Sequence, residues 1–467
     1  MSQPNVIFLL VDQLASQVLS TYGAQVMDTP HIDALAAEGV SFDNMISTCP
    51  VCTPYRSMWL TGRHPQTTGH IVNFMNTRHD EIGWGDVFGH AGYDTGYVGK
   101  WHLHRGSFPQ IDGADYVPEG RDRLGFKWWR GYNFHTDYFG GTVNGDGEWM
   151  VERWDKEEYE TDALNRYAFQ YLDSVRDSNK PFCLMVSPHQ PHVTGGRFAP
   201  KEYYDRLPPD LGLPPNWDGQ DEEREMEAYR HYLAMVLTID DMLGELRAGL
   251  QERRLMDNTA FVFTTDHGTH LGTHGEGFWG KKAPWEENVK VPFIIHWPGV
   301  FEGGTRQDTL TAPVDLLPTF CSLCDIPIPR TVEGRDLSGA WQGRAQAFEQ
   351  DGVLMMNFLK LYDRVLDGWE WRGVRTKTHS YAKFLDGTEL LFDLTKDPCQ
   401  KDNLVDRETE LLASMRAQLI ELMALRGDQL QPASAYKGWF DEQRRVIANA
   451  YGPLSHPEGT PDWSLLG

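Results

Sequence analysis

The sequence predicts an α/β protein: a large, mostly parallel β-sheet sandwiched by helices, followed by a smaller C-terminal α+β unit. Three observations carry the prediction. Up to about residue 345, short apolar runs rich in β-branched residues recur, each ending in polar residues able to do chemistry. Longer segments with helical periodicity separate them, and strand–helix alternation builds parallel sheets covered on both faces. Beyond that point the β-like runs follow one another without long helices between them, which marks a different arrangement.

In chain order, VIFLLV (6–11) is the first run, and TPHIDAL (29–35) after it carries the Pro and Asp that open a helix. The run ends in Asp12 with no basic segment before it, so it reads as a buried strand and not as a signal peptide. Residues 92–98, 182–186, 259–264 and 291–297 repeat the strand pattern, with helices expected over 161–176, 222–250 and 313–324. Further on, GVLMMNF, WRGVRTKTHSYAKF and TELLFDL read as strands and 406–426 as a helix. The expected domains are a catalytic domain over 1–345, a smaller α+β subdomain with an antiparallel sheet over 346–430, and an aromatic, Pro-rich tail over 431–467. The tail reads as packed or as an interface arm, which would suit a homo-oligomer. No flexible linker is visible, so the domains are expected to dock firmly.

Composition excludes several classes. The chain has 467 residues, 43 Lys and Arg against 67 Asp and Glu, and a net charge of −24, which argues against nucleic acid as a partner. An anionic small molecule would need a local basic pocket set against that field. Six cysteines (49, 52, 183, 321, 324 and 399) are too few for a disulfide scaffold in so long a chain. They point to a reducing, cytoplasmic setting. No uncharged apolar run approaches the ~18 residues of a membrane span.

The chemistry-bearing residues follow the predicted strands: Asp12-Gln13, Lys100-Trp101-His102, His189 to His192, and Asp266-His267, with Lys281 downstream. Open α/β sheets bind ligands at those ends. Any one of these pairs is more often an ordinary loop residue, and the signal is their concurrence. Two carboxylates, an amide oxygen and an imidazole make a divalent-metal set. CPVCTPYRSMWLTGR (49–63) places Cys52 near Arg56 and a Leu60-Thr61-Gly62 turn, so an activated, exposed thiol is expected. Cys49-Pro50-Val51-Cys52 and Cys321-Ser322-Leu323-Cys324 are formally C-x-x-C pairs of redox or zinc type. The second lies in an amphipathic helix where core packing is the simpler account, and the first lacks a thioredoxin-like βαβ context.

Cys52-Thr53-Pro54-Tyr55-Arg56 with the trailing Leu60-Thr61-Gly62 resembles the C-x-P-x-R signature of type I, formylglycine-dependent sulfatases of the alkaline-phosphatase-like superfamily. The likeness extends through NVIFLLVDQ, AGYDTGYVGKWHL, PHQPH, TTDHG, KKAPWEENVKVPFIIHWPG and ELLFDLTKDPCQKDNL in the family's order. It implies a sulfatase-like fold and a sulfate monoester, carbohydrate or small organic, as substrate. It implies that a formylglycine-generating maturation enzyme converts Cys52 into the nucleophile. Asp12, Gln13, Asp266 and His267 would hold one divalent metal, calcium on the family's precedent, with manganese or magnesium as alternatives. Arg56 would stabilise the nucleophile, Lys100, His102 and Lys281 would hold the sulfate, and His192 would protonate the leaving oxygen. A hydrated formylglycine suits such a reaction, since one hydroxyl attacks while the other later expels sulfate.

Two positions depart from the commonest pattern: Gln13 stands where many members have a second aspartate, and His267 where many have asparagine or glutamine. These variants resemble choline sulfatases and phosphonate monoester hydrolases, so a phosphonate or phosphate ester hydrolase is the alternative. The Lys100-x-His102 pair is of the sulfatase type. FKWWRGYNFHTDYF (126–139) could set Trp128, Trp129 and His135 against a sugar ring, with core packing as the competing account. His70, Asn73 and His104, just beyond catalytic motifs, complete the expected substrate-binding set.

Overall fold

The structure is a computed structural model and describes residues 3–105, 115–147, 150–175, 178–361 and 363–467. Its main sheet has ten strands: β1 (Asn5–Val11), β2 (Val40–Phe42), β3 (Asp94–Lys100), β4 (Trp128–Tyr132), β5 (Thr142–Asn144), β6 (Val151–Arg153), β7 (Phe182–Ser187), β8 (Thr259–Thr265), β9 (Phe293–His296) and β10 (Thr305–Gln307). Their order is β10-β2-β9-β8-β1-β7-β3-β4-β5-β6. The central five, β8-β1-β7-β3-β4, are parallel, and antiparallel pairings appear only toward the edges. The 291–297 run therefore forms a strand that runs against its β8 and β2 neighbours.

Strand β1 shows why the sequence signal was a continuous apolar run. Ile7, Leu9 and Val11 face a core built with helices Pro30–Glu38, Glu160–Val175 and Glu222–Glu252. Val6, Phe8 and Leu10 face a second core with helices Cys52–Thr61 and Pro313–Leu323. A strand buried on both faces has no polar side to alternate with. The expected helix over 161–176 is observed as Glu160–Val175, and residue 176 lies outside the described residues. Among the described residues no helix is long and apolar enough to cross a membrane.

A second, wholly antiparallel sheet follows, with β11 (Val353–Asn357), β12 (Trp371–Arg375), β13 (His379–Phe384) and β14 (Glu389–Asp393) in sequence order. Helix Thr409–Leu425 packs on it through Leu412, Met415 and Leu419. A buried ion pair joins the two sheets' units: Arg375 Nε and Nη2 donate to Glu286 at 2.9 and 3.0 Å. Within the second unit Arg372 donates to Asp428 at 2.5 and 3.0 Å, and Gln66 of the first unit reaches the same carboxylate at 2.9 Å.

The segment after residue 430 lies across the first unit. Asn449 Nδ2 donates to the Thr67 carbonyl, Ala450 N to the Gln66 carbonyl, and Arg78 Nη1 to the Val446 carbonyl. Trp463 stacks on His90, and Leu466 enters the second core. Of the two accounts of the tail, the packed one describes these contacts.

Candidate active site

The helix Cys52–Thr61 starts at the cysteine itself. Val51 is extended, Cys52 is the first helical residue, and Gly62 closes the far end with φ 67 and its N–H on the Met58 carbonyl. Thr53 N donates to Asn73 Oδ1 at 3.0 Å, and Thr53 Oγ1 to the His102 carbonyl at 2.6 Å. Every residue of the helix is buried, which overturns the expectation of an exposed thiol. The polar residues around Cys52 are there to meet charged groups at the sheet's C-terminal edge, not water.

Those groups crowd the sulfur. Lys281 Nζ lies 3.1 Å from Sγ, His267 Nε2 3.2 Å, Lys100 Nζ 3.8 Å and Asp12 Oδ1 4.0 Å. Lys100 ends β3 directly after Gly99, where φ is 95 and a Cβ would stand 2.2 Å from the Ser187 carbonyl oxygen. Only glycine allows β3 and β7 to approach that closely. Arg56, one turn along the helix, bonds Asp266 Oδ2 and Asp12 Oδ2, each at 3.2 Å, and reaches the Lys100 carbonyl and Ser187 Oγ at 2.9 Å. Burial opposes charge on Arg56, but the two carboxylates keep it charged. Burial likewise works to raise Asp12, but Lys100, 2.5 Å away, and the neighbouring histidines and Lys281 hold it well below the usual range.

Asp12, Gln13, Asp266 and His267 come together at the sheet's C-terminal edge. Ligand atoms of Asp12, Cys52, Asp266 and His267 all lie within 4.8 Å of one another. Gln13 sits at φ 68, and its Nε2 is committed to Thr269 Oγ1 and the Trp279 carbonyl, both at 3.0 Å. These two acceptors fix which end of the amide is oxygen, and the buried Oε1 has no partner among the described residues. Such an orphaned acceptor beside two dry carboxylates suits a bound cation. Burial holds the His267 imidazole down to about 4, so it is neutral and able to ligate. Its Nδ1–H donates to the Gly268 carbonyl, which leaves Nε2 facing the site.

On the opposite wall, His192 Nδ1–H donates to the Val193 carbonyl and its Nε2 lies 3.3 Å from Lys281 Nζ. Burial and then Lys281 hold His192 well below its ordinary value, so it is neutral in the free enzyme. His102 is buried at φ 58 with both ring nitrogens unpartnered among the described residues. Two site residues were not assigned from the sequence. His189 accepts from Lys100 Nζ at 2.9 Å, with its Nδ1–H on the His135 carbonyl. Phe134 lies under Lys100 and against His102, His189 and His192. The PHQPH run did signal His189, whereas nothing in the aromatic segment distinguished Phe134 from its neighbours.

Several expected substrate contacts are not brought to the pocket. Trp129 is fully buried between Tyr97 and Trp101, and Trp128 packs on Tyr171 at the N-terminal end of β4, the end away from the site. The first half of that aromatic segment is a strand, so Trp129 fills one core and Trp128 packs, partly buried, against the other. His135 is buried against Tyr132 and acts through its carbonyl on His189. His70 is enclosed between Ser57 Oγ (3.1 Å) and Thr77 Oγ1 (3.4 Å) behind the helix, and Asn73 holds the Thr53 amide. His104 lies farther out, 3.8 Å from Asp122.

A large, centrally parallel sheet with charged side chains gathered at its C-terminal edge is the alkaline-phosphatase-like α/β fold. Within that class, the Sulfatase family model matches residues 4–326, and a model described as N-sulphoglucosamine sulphohydrolase, C-terminal, matches 272–425. The chain belongs to the sulfatase family and is a sulfuric ester hydrolase. It is 33% identical over 449 residues to an ulvan-active sulfatase of Formosa agariphila, covering 93% of this chain and 84% of that protein. It is 27% identical over 475 residues to an endo-4-O-sulfatase of Bacteroides thetaiotaomicron, covering 88% and 90%. Among solved structures, BT33494S-sulf, from a locus by which Bacteroides thetaiotaomicron metabolises multiple glycosaminoglycans, superposes with a TM-score of 0.81. That match is 26% identical and covers 91% of this chain and 97% of that one.

Proposed function

We propose that this chain removes sulfate from a carbohydrate, using a formylglycine made from Cys52 by a formylglycine-generating enzyme and one divalent cation held by Asp12, Gln13, Asp266 and His267. Calcium is the first choice, and the single imidazole in the set keeps manganese in play, with magnesium as a further alternative. The observation that carries the reading is the convergence of Lys100, Lys281, His102 and His192 about residue 52 inside a strongly acidic protein. The carbohydrate part is supported by what similar proteins are named for: ulvan, and N-acetylglucosamine-6-O-sulfate at 25% identity.

A formylglycine supplies a hydrated aldehyde as nucleophile, and the bound cation supplies Lewis acidity toward it and the sulfuryl oxygens. The rest is the work of the chain's own residues. Arg56 fixes both carboxylates so that they stay charged and oriented. Lys100 and Lys281 flank residue 52, and His102 has ring nitrogens to spare, so the three can hold the anionic sulfuryl group in a site already arranged for charge. His192 keeps its Nδ1 proton on Val193 and can protonate the leaving oxygen only from Nε2. Lys281 stands beside that nitrogen as a proton source, and an anionic ester placed there raises the imidazole's basicity.

The Lys100 and His102 pair favours this reading over a phosphonate monoester hydrolase. The test is kcat/KM on a sulfate ester and a phosphonate monoester with matched leaving groups. A preference for sulfate supports the proposal, and a preference for the phosphonate transfers the chain to the alternative.

A further inference from the structure

The helix that begins at Cys52 has no cap of its own. Val51, the residue before it, offers no side-chain oxygen, Pro54 has no N–H, and Tyr55 N bonds the Val51 carbonyl at 3.0 Å. The amides of Cys52 and Thr53 are therefore the open donors of the first turn. Asn73 Oδ1 takes the Thr53 amide at 3.0 Å, from a loop 20 positions along the chain. This is the bond that a helix's own N-cap side chain ordinarily makes.

That loop, residues 66–78, meets the helix on one side and the C-terminal tail on the other. On the helix side, Ser57 Oγ lies 3.1 Å from His70 Nδ1 and 3.2 Å from Thr68 Oγ1. Phe74, next to Asn73, sets its ring 4.8 Å from that of His102 in the pocket. On the tail side, Asn449 Nδ2 donates to the Thr67 carbonyl at 2.7 Å and Ala450 N to the Gln66 carbonyl at 2.9 Å. Asn76 N donates to the Arg444 carbonyl at 3.0 Å, and Arg78 Nη1 reaches the Val446 and Ser455 carbonyls at 2.9 and 3.1 Å. The stretch that carries Asn73 is thus gripped at both ends by the tail. Between the grips, Gly69 has φ 77, and a Cβ there would stand 2.4 Å from Val446 Cγ1, so this approach of loop to tail requires glycine. Ile71, Val72 and Met75 of the loop, Met58 of the helix and Val446 of the tail share one apolar core.

We propose that Asn73 is a positioning residue for the nucleophile, and that residues 444–455 of the tail act on residue 52 through it. This rests on the reading of residue 52 as the nucleophile. A cap supplied from the loop fixes the first turn and with it the direction in which the side chain of residue 52 leaves the helix. Displacing a reacting group by about 1 Å costs on the order of 10²-fold in rate, so a contact made far from the pocket is felt in turnover.

The test uses the full chain co-produced with a formylglycine-generating enzyme. Turnover of an activated aryl sulfate is measured well below each variant's melting temperature, and kcat is divided by the aldehyde occupancy of residue 52. Asn73→Ala should lower this kcat about tenfold, and Asn73→Asp, which keeps the acceptor, should restore most of it. Asn449→Ala should cause a smaller loss in the wild-type background and none in the Asn73→Ala background, because the two act along one path. Wild-type kcat in Asn73→Ala, or equal impairment of the alanine and aspartate variants, overturns the positioning role. Equal losses from Asn449→Ala in both backgrounds overturn the tail's part in it. Wild type that is active without the aldehyde, or inactive with it, contradicts the nucleophile reading and this one with it. Asn449→Ala removes a single hydrogen bond away from the pocket, so it carries the test alone should Asn73→Ala fail to fold: a lowered kcat supports the tail's role and an unchanged one overturns it.

Discussion

His192 and Lys281, 3.3 Å apart, decide how the leaving oxygen is protonated. A sugar alkoxide needs that proton, and an acidic phenol departs nearly without it, so His192→Ala should lose on the order of 10²-fold more activity on a carbohydrate sulfate than on an activated aryl sulfate. Equal losses would mean that the imidazole holds sulfate instead. His70 gives a test of the pocket's underside. Burial pushes it down to about 3 from an ordinary value of 6.5, so the folded state keeps it neutral while the unfolded chain takes up a proton. Its neutral form costs nothing above pH 6.5, and stability is lost as pH falls from there toward 3, by about 1.4 kcal/mol per pH unit. The stability gap between wild type and His70→Gln in urea melts should therefore narrow over that window; a constant gap contradicts the assignment. At this scale the sequence disclosed residues whose chemistry is itself unusual: paired carboxylates at strand ends, and a cysteine followed by arginine. It did not disclose which aromatic faces the pocket. Trp128, Trp129 and Phe134 have the same apolar character, and only the strand's register and end-point send the first two into the core.

Glu160 shows how an element carries the pocket's histidines. It opens helix Glu160–Val175 and, wholly buried, accepts from the His189 amide at 3.2 Å, from Gln190 Nε2 at 3.3 Å and from the Tyr132 hydroxyl. Burial lifts its carboxyl to about 7. Glu160→Ala strips three buried donors of their acceptor, so it should cost about 1–3 kcal/mol and lower kcat by disturbing the His189 to His192 loop, while Glu160→Gln, which keeps an acceptor, retains more of both. Thermal melts and kcat for the pair check this, and an alanine variant matching wild type in both contradicts it. The long elements were legible because burial imposes a period on them. The three-residue strands β2, β5, β6 and β10 are too short to show one. The helix at Cys52 escaped notice because it is buried on every side, and Thr53, Arg56 and Ser57 within it look like surface.

Across the whole molecule, the second sheet is fastened to the first unit through charge. Arg375 is buried and donates to the buried Glu286 at 2.9 and 3.0 Å. Arg375→Leu leaves the Glu286 carboxylate without its partner and should cost about 3–5 kcal/mol, read in urea melts; a neutral effect would mean that the apolar contacts alone hold the docking. The proposed cation makes a similar demand. Protein dialysed against chelator should melt lower than the calcium- or manganese-restored form, since Arg56, Lys100 and Lys281 alone then offset the two buried carboxylates; identical melts contradict a structural cation there. The change from a mostly parallel sheet to a smaller antiparallel one was legible in the strand and helix rhythm near residue 345. The path of the tail was not, because its contacts with Gln66, Thr67, Arg78 and Asn76 link residues more than 360 positions apart. Every catalytic role proposed above depends on a nucleophile made from Cys52. Its most direct test is mass spectrometry of the peptide spanning residue 52, on protein co-produced with a formylglycine-generating enzyme, alongside sulfate release by the same preparations. The account predicts an aldehyde at residue 52 and activity proportional to its occupancy, with none in Cys52→Ala; full activity from protein that retains the thiol, or from the alanine variant, would contradict it.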